Sequence, residues 1–308
     1  MTLPSPISQS GGPAPGSMLP GYEDREISSS VQDRPVPQNV FCYSRPDLWR
    51  DRVWEMLSDF ITDDVKEEFL ADLPEYVVCD DLSWLDEIIE RVIGEWPDIK
   101  EVAADRLMKE FDAFRMFHAT RTHDLALYYE NGLRFMTNRD IEDRARSIFL
   151  NGSFPMVTEE TLSAAIADIN DGHFPYRSDL TPRTYFCADE AAFTTEWGGC
   201  GHYLDFGSEY LFSLGGRLVG NRQAKEALRA IGSPTLFVID IPMSLVSRST
   251  ILEFSGKILE YLFCSLSDKL ETDVLGSGDQ SGVILHNEIP PNAFVGHFHP
   301  THFYHAHK

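Results

Sequence analysis

The chain carries few positive charges for its size. Its 308 residues include 26 Lys and Arg against 49 Asp and Glu, which gives a formal net charge of -23 at pH 7. Such a charge repels nucleic-acid phosphates and anionic membranes at long range. The composition therefore argues against a protein whose main task is to bind a nucleic acid or a membrane surface.

Several familiar motifs are missing as well. No two of the five cysteines form a C-x-x-C pair, so neither a disulfide framework nor a zinc knuckle is indicated. Neither H-E-x-x-H nor G-x-S-x-G occurs, so the hydrolase classes that use these motifs have no support. No signal-peptide pattern opens the sequence, and no apolar run approaches the ~20 residues that span a bilayer. We therefore expect a soluble, cytoplasmic protein with reduced thiols.

What the chain does contain divides into three parts. Residues 1–38 are rich in Ser, Gly and Pro and nearly devoid of apolar periodicity, which predicts a disordered tail. Apolar residues at three- and four-residue spacing predict an acidic helical subdomain over residues 39–110. Residues 111–308 mix strand and helix patterns without strict alternation, which predicts an α+β sheet domain rather than a doubly wound parallel sheet.

The third part has five strand patterns and four helix patterns. The predicted strands are 113–119, 183–188, 235–241, 282–288 and 293–299, and the predicted helices are 122–131, 158–170, 221–230 and 250–268. Ser249 and Thr250 are suitable N-caps for the last helix.

Three short patterns carry the chemistry of this part. Residues 114–120 are typical of a strand that ends in His118 and a small residue. Residues 184–189 are typical of a second strand, which contains Tyr185. Glu288 then precedes a proline pair between two apolar runs, which anchor it to a buried element.

In that order, the patterns resemble the His-Tyr-Glu signature of the ADP-ribosyltransferases of the diphtheria-toxin and poly(ADP-ribose) polymerase clade. The resemblance covers roughly residues 111–308 and implies a split, curved β-sheet whose cleft grips NAD. The implied reaction breaks the nicotinamide–ribose bond through an oxocarbenium-like transition state, which needs a nearby carboxylate and a fixed leaving group.

The resemblance also assigns roles to single residues. His118 corresponds to the histidine that hydrogen-bonds ribose hydroxyls. Ala119 corresponds to the small residue, commonly glycine, whose backbone bonds the carboxamide, and Thr120 could supply a further hydroxyl. Tyr185 corresponds to the tyrosine of the second strand, and Glu288 to the catalytic glutamate that bonds the ribose 2'-hydroxyl. These assignments make NAD the co-substrate and require no metal.

A second aromatic residue is expected to stack on the nicotinamide ring. Phe193 and Trp197 are nearest to the expected place in the sequence. The stretch 197–210 is rich in glycines and aromatics, which suits the lining of a cleft, and we favour its Tyr210 for this role. The competing interpretation of the stretch is a tight structural loop.

The charge distribution bears on the binding of NAD and of a nucleic-acid acceptor. Residues 1–110 hold 24 acids and 10 bases, whereas residues 111–150 hold six of each, so an anionic pyrophosphate is least disfavoured near His118. The arginines of this neutral segment are candidates for local contact with a nucleic-acid acceptor. They are Arg115, Arg121, Arg134, Arg139, Arg144 and Arg146.

The leading hypothesis is therefore a mono-ADP-ribosyltransferase of the bacterial toxin type, a toxin or defence effector that modifies a protein or nucleic acid. By analogy with such toxins, the acidic helices 46–110 would dock an inhibitory partner protein.

Two other functions stay open. A histidine-dependent metalloenzyme could use the C-terminal histidines with His202 or His286, since His297 and His299 share one face of a strand. A frayed, solvated tail is the competing interpretation of that histidine run. The third hypothesis is a binding protein with a decayed NAD cleft, in which His118, Tyr185 and Glu288 are ordinary strand and turn residues.

Overall fold

A computed structural model describes residues 21–171, 183–196, 198–267 and 281–303. Trp197, His305, His307 and residues 1–20 therefore lie outside the described part of the chain. Within the described ranges, the helices are α1 (Pro46–Met56), α2 (Asp63–Ala71), α3 (Ser83–Ile93), α4 (Ile99–Glu110), α5 (Ala126–Asn131), α6 (Asn138–Phe149), α7 (Glu159–Asp171), α8 (Ala191–Thr194), α9 (His202–Asp205), α10 (Glu209–Val219), α11 (Asn221–Arg229) and α12 (Arg248–Cys264). The strands are β1 (Val40–Phe41), β2 (Ala113–Thr122), β3 (Thr184–Cys187), β4 (Ser233–Pro242), β5 (Gly282–Leu285) and β6 (Phe294–Phe298).

Short polar side chains set where several helices begin. Thr62 accepts a hydrogen bond from the backbone N–H of Val65, and Thr137 forms a capping box with Asp140. The longest helix, α12, is capped by Ser247 rather than by the predicted Ser249 or Thr250, because the Ser247 hydroxyl accepts from the N–H of Thr250. The helix therefore begins two residues earlier than its apolar pattern indicates.

The fold class is α+β, as predicted, with a mostly antiparallel six-stranded sheet. The strand order is β5-β3-β2-β4-β6, and β1 pairs with β2 in parallel. The five predicted strands correspond to β2 to β6. Strands β2 and β4 pair along their full length, from Ala113↔Pro242 to Thr122↔Ser233. Strands β2 and β3 share only the pair Phe117↔Cys187, so the sheet parts between them.

The helices of residues 39–110 do not form a separate subdomain, contrary to the prediction. A single hydrophobic core contains Trp49 of α1 and Leu107 of α4 together with Phe114 of β2 and Phe254 of α12. Strand β1 also pairs with β2, at the centre of the sheet. An amphipathic helix reveals from its sequence that it needs an apolar partner, but the partner is chosen by packing.

Helices α8 and α9 cover the face of the sheet opposite to the one that carries Phe114. Phe117 and Ala119 of β2 pack there with Ala192, Phe193 and Leu204. A further cluster joins the helices α6, α7, α10 and α11. None of the described helices is both long and apolar enough to cross a membrane.

Residues 21–38 are packed onto the sheet, so the prediction of a disordered tail is wrong for this segment. The N–H of Ile27 donates to the carbonyl oxygen of His297 at 2.9 Å. Arg34 is buried, forms an ion pair with Glu190, and lies 4.9 Å from the ring centre of Phe298. Polar and cation–π contacts hold this segment in place, so it needs no periodic apolar face.

Candidate functional site

The candidate site is centred on His118, which is half-buried in the middle of β2. Its Nδ1 lies 3.0 Å from the carbonyl oxygen of Tyr185, and its ring centre lies 5.6 Å from that of Phe186. Burial lowers the pKa of His118, and the hydrogen bond to Tyr185 opposes that shift in part. Because a carbonyl can only accept, we assign the proton of the neutral ring to Nδ1, which leaves Nε2 as an acceptor.

The two residues after His118 point to opposite faces of the sheet, as strand geometry requires. Ala119 is buried in the cluster with Phe117 and Leu204. Thr120 is also buried and lies on the face of His118, where its side chain hydrogen-bonds that of Tyr128 in α5. Of the two, only Thr120 shares the histidine's side of the sheet.

Tyr185 is half-buried in β3, next to the point where the sheet parts. The guanidinium carbon of Arg183 lies 5.6 Å from its ring centre. Its register partner in β5 is Ile284, which is exposed. Phe186 contacts the His118 ring, so its neighbour Tyr185 directs its own ring to the opposite face of the sheet. The structure therefore does not bring the side chains of His118 and Tyr185 together, and only the Tyr185 carbonyl oxygen meets His118.

Glu288 is exposed just beyond β5, and the turn after α5 holds it in place. Its Oε1 accepts a hydrogen bond from the backbone N–H of Phe135 at 3.3 Å. Next to it, Leu133 and Ile289 exchange two backbone hydrogen bonds of 2.9 and 3.0 Å. Gly132 makes this approach possible, since it has φ 74° and an added Cβ would lie 2.0 Å from the carbonyl oxygen of Ile289.

Helix α5 and the residues after it connect the surroundings of His118 with those of Glu288. The Tyr128 ring of α5 lies 4.4 Å from that of Phe237, which is the register partner of His118. The residues that follow α5 bind Glu288 and Ile289. Sequence reasoning missed this link, because neither a helical tyrosine nor a glycine at a helix end indicates which distant strand it will meet.

The candidates for the second aromatic are placed differently from one another. Tyr210 is half-buried in α10 and packs against the cluster of α6, α7, α10 and α11. Phe193 is buried in the core on the Ala119 side of the sheet. Trp197 lies outside the described residues. Among the described candidates, neither Phe193 nor Tyr210 packs in the cluster of Phe186 and Phe237 that borders His118.

The glycine-rich stretch around these aromatics is tightly packed in its described residues. An added Cβ at Gly198 would lie 2.3 Å from the carbonyl oxygen of Ala192. The buried Asp205 forms ion pairs with Lys225 and Arg229. These contacts agree with the interpretation of the stretch as a structural loop.

Two of the six arginines proposed for surface contact are buried, which corrects that prediction. Arg115 forms an ion pair with Asp240, with Nε 2.7 Å from Oδ1. Arg121 directs its guanidinium to backbone carbonyls, among them that of Leu204 at 3.0 Å and that of Gly232 at 2.8 Å. Burial lowers the pKa of Arg121. Both side chains serve the fold, because buried guanidinium groups need partners for their donors.

Of the C-terminal histidines that the structure describes, His297 and His299 contact the sheet, whereas His302 is exposed beyond β6. His297 is buried, and its Nδ1 lies 2.7 Å from the hydroxyl of Tyr129. His299 Nδ1 lies 2.9 Å from the carbonyl oxygen of Pro234. His202 Nδ1 lies 3.1 Å from the carbonyl oxygen of Gly199, its Nε2 lies 3.1 Å from Oε1 of Glu209, and His286 is exposed. Over the described ranges, no three His, Cys, Asp or Glu side chains are grouped so that they could hold a metal ion.

No protein-family model, curated protein or solved structure matches this chain. The site itself combines a neutral histidine at the parting of β2 and β3, a carboxylate tethered beyond β5, and α5 between them.

Proposed function

We propose that the protein is an NAD-dependent mono-ADP-ribosyltransferase that modifies a macromolecular acceptor, either a protein or a nucleic acid. The observation that carries this proposal is the adjacency of β2, β3 and β5 in the sheet. His118, Tyr185 and Glu288 come from widely separated parts of the chain, yet they lie on or directly beyond three neighbouring strands. The parting of β2 from β3 beside His118 agrees with the split, curved sheet that the sequence resemblance implies.

The state of His118 suits the binding of a ribose. With Nδ1–H donated to the carbonyl oxygen of Tyr185, Nε2 can accept a hydrogen bond from a sugar hydroxyl. The lowered pKa keeps the ring neutral near pH 7, so this acceptor is available. A ground-state contact of this kind contributes to NAD affinity as well as to rate.

Glu288 supplies the negative charge that the reaction requires. As the bond between ribose C1' and the nicotinamide nitrogen breaks, its electron pair leaves with nicotinamide and positive charge develops on the ribose. A fixed carboxylate stabilises that charge. The acceptor's nucleophilic atom then bonds C1' and loses its proton. The hydrogen bond from Phe135 and the pairing of Ile289 with Leu133 hold Glu288 for this role.

We also propose where the protein acts and how it is regulated. We place the protein in the cytoplasm, and all five of its cysteines are free thiols. A toxin or defence role would call for an inhibitory partner protein, and the acidic helices α1 to α4 are the surface we propose for it.

The test is the release of nicotinamide from NAD and the transfer of label from NAD to protein and nucleic-acid fractions of a cell lysate. We expect Glu288→Gln to lower both rates by about 100- to 1,000-fold, because the change removes the charge with little change in shape. Glu67→Gln is the matched control, since Glu67 is exposed on α2.

Circular dichroism melting checks that both variants fold. Near-wild-type nicotinamide release by folded Glu288→Gln would refute the role of Glu288. Absence of NAD cleavage and transfer by the wild-type protein would refute the proposed function.

A further inference from the structure

Two cysteine sulfurs lie in contact on the face of the sheet opposite to His118. The Sγ atoms of Cys187 in β3 and Cys200, which precedes α9, are 4.0 Å apart, and the Cys187 thiol is the donor. Both residues pack in the cluster that Phe117 and Ala119 of β2 form with α8 and α9. Cys187 is buried, whereas Cys200 is partly exposed. The two thiols therefore form a contacting pair of unequal accessibility.

Cys187 lies where the sheet parts. It is the register partner of Phe117 in β2, and on its other side it pairs with Gly282 of β5. The segment that contains Cys200 leads into α9, and Leu204 of α9 packs against β2 in the same cluster. A bond between the two sulfurs would therefore tie β3 to the segment that covers β2, beside the strand of His118.

A short approach separates this contact from a disulfide. The sulfurs of a disulfide are about 2 Å apart, so those of Cys187 and Cys200 must come closer by roughly 2 Å. Strand β3 is paired on both sides, but Cys200 lies in the segment between α8 and α9, where its N–H donates to the carbonyl oxygen of Ala192 at 2.9 Å. Rotation of the Cys200 side chain, with a small shift of this segment, supplies the approach.

We propose that Cys187 and Cys200 form a reversible disulfide when the protein meets a peroxide, which makes the pair a site of oxidative modification. This inference rests on the geometry of the two thiols and does not depend on the proposed transferase function. In a reducing compartment, such a bond is transient and redox-sensing rather than structural.

Cys200 reacts first, because it is the more exposed thiol. Its sulfur bonds one oxygen of hydrogen peroxide, the O–O bond breaks, and the other oxygen leaves as water with the thiol proton, which yields a sulfenic acid. The Cys187 sulfur then bonds the Cys200 sulfur, the S–O bond breaks, and the hydroxyl leaves as a second water with the Cys187 proton. The two thiols lose two electrons, and the peroxide gains them.

The surroundings of Cys187 suit it to the second step. The hydrogen bond to Cys200 and burial raise the pKa of Cys187. A thiol reacts with peroxide as the thiolate, so Cys187 stays out of the first step. Its contact with Cys200 places it beside the sulfenic acid as soon as that group forms.

The experiment treats the folded, full-length chain with an equimolar amount of hydrogen peroxide and maps the thiols by mass spectrometry. We expect two of the five thiols to be lost and dithiothreitol to restore them. Digestion at acidic residues cuts the chain between the two cysteines, at Asp189, Glu190 and Glu196. A disulfide between Cys187 and Cys200 will therefore keep two peptides joined until dithiothreitol is added.

Substitutions separate the two steps. In Cys187→Ser, oxidation should stop at the sulfenic acid of Cys200, which dimedone labels. In Cys200→Ser, dimedone should leave Cys187 unlabelled, because that thiol is buried. Cys79→Ser is the matched control, since Cys79 is also partly exposed but contacts the carboxylate of Asp80 rather than a thiol. It should form the same disulfide as the wild type.

Three results would overturn the inference. The first is a treated wild-type protein that keeps all five thiols, and the second is oxidation of Cys79 ahead of the pair. The third is dimedone labelling of Cys187 in Cys200→Ser as strong as that of Cys200 in Cys187→Ser. Mapping of the wild-type protein needs no substitution, so it decides the matter even where a variant does not fold. No NAD enters the experiment, so its outcome is separate from that of the transferase test.

Discussion

His118 differs from an ordinary core histidine in having one ring nitrogen bound and the other left as an acceptor. Its Nδ1 is committed to the carbonyl oxygen of Tyr185, which fixes the ring across the line where β2 and β3 part. The role proposed for His118 therefore depends on Nε2, the ring atom that the contact with Tyr185 leaves as an acceptor.

We expect His118→Ala to weaken NAD binding more than Glu288→Gln does. The histidine is assigned a ground-state contact to ribose, whereas the glutamate acts mainly on the transition state. The loss of one hydrogen bond corresponds to roughly a fivefold to tenfold rise in Kd. Calorimetric titration of both variants, with the exposed His123→Ala as control, decides the question. Unchanged affinity in His118→Ala would return this residue to a purely structural role.

Single residues also show where sequence interpretation stops. The place of His118 in a strand follows from the apolar pattern around it. The contacts of Arg115 and Arg121 do not follow from the sequence, because both are arginines of one neutral segment. Arg115 pairs with Asp240 of β4, and Arg121 donates to backbone carbonyls of distant segments. Only long-range packing distinguishes them.

At the scale of elements, the N-terminal segment is the clearest departure from the sequence prediction. Residues 21–38 contribute a stacked pair between Tyr22 and Tyr129, with ring centres 4.8 Å apart. They also supply the carbonyl of Pro35 to Arg115 at 2.9 Å and the ion pair of Arg34 with the buried Glu190. The segment thus completes hydrogen bonds that the sheet cannot make by itself.

We expect deletion of residues 1–20 to leave the Tm unchanged and deletion of residues 1–38 to lower it by several degrees. The longer deletion leaves Glu190 buried without Arg34, and breaking a buried ion pair costs about 3–5 kcal/mol. Differential scanning calorimetry measures the shift. Arg34→Ala in the full chain is the companion variant and should reproduce part of it. Equal Tm values for the two truncations would show that residues 21–38 add no stability.

Strands β2 to β6 and helices such as α7 and α11 lie close to their predicted positions, whereas the longer helices α6 and α10 were not predicted. The two-residue β1 and the one-turn helices α8 and α9 were missed, because an element of that length has too few residues to show a period. These short pieces are defined by what they pack against.

At the scale of the whole molecule, buried histidines couple stability to pH. Burial lowers the pKa of His297 to about 4, and the nearby His299 adds to the shift. Between that value and about 6.5, the unfolded chain binds a proton that the native state does not. This contribution to stability is therefore fully present above pH 6.5 and is lost as the pH falls toward 4.

We expect the free energy of unfolding to drop by up to about 2 kcal/mol between pH 7 and pH 5 because of this residue. Urea unfolding at the two pH values measures the drop. His297→Gln should show a smaller drop than the wild type, while His123→Gln, at an exposed position, should match it. Comparing differences removes the contribution of the acidic residues, which all three proteins share. Equal drops in all three would refute the role of His297.

The sequence by itself determined the α+β class, the order of strands β2 to β6, and the strands that contain His118 and Tyr185, but it placed Glu288 inside a strand that the structure ends at Leu285. These properties follow from local periodicity and turn chemistry, which act over a few residues. The tertiary structure decided the order of strands in the sheet, the packing of residues 21–38, and the merging of helices α1 to α4 with the central core. It also decided that Arg115 and Arg121 are buried. Such choices depend on contacts between residues far apart in the chain, and a residue's type reveals its need for a partner but not which partner meets it.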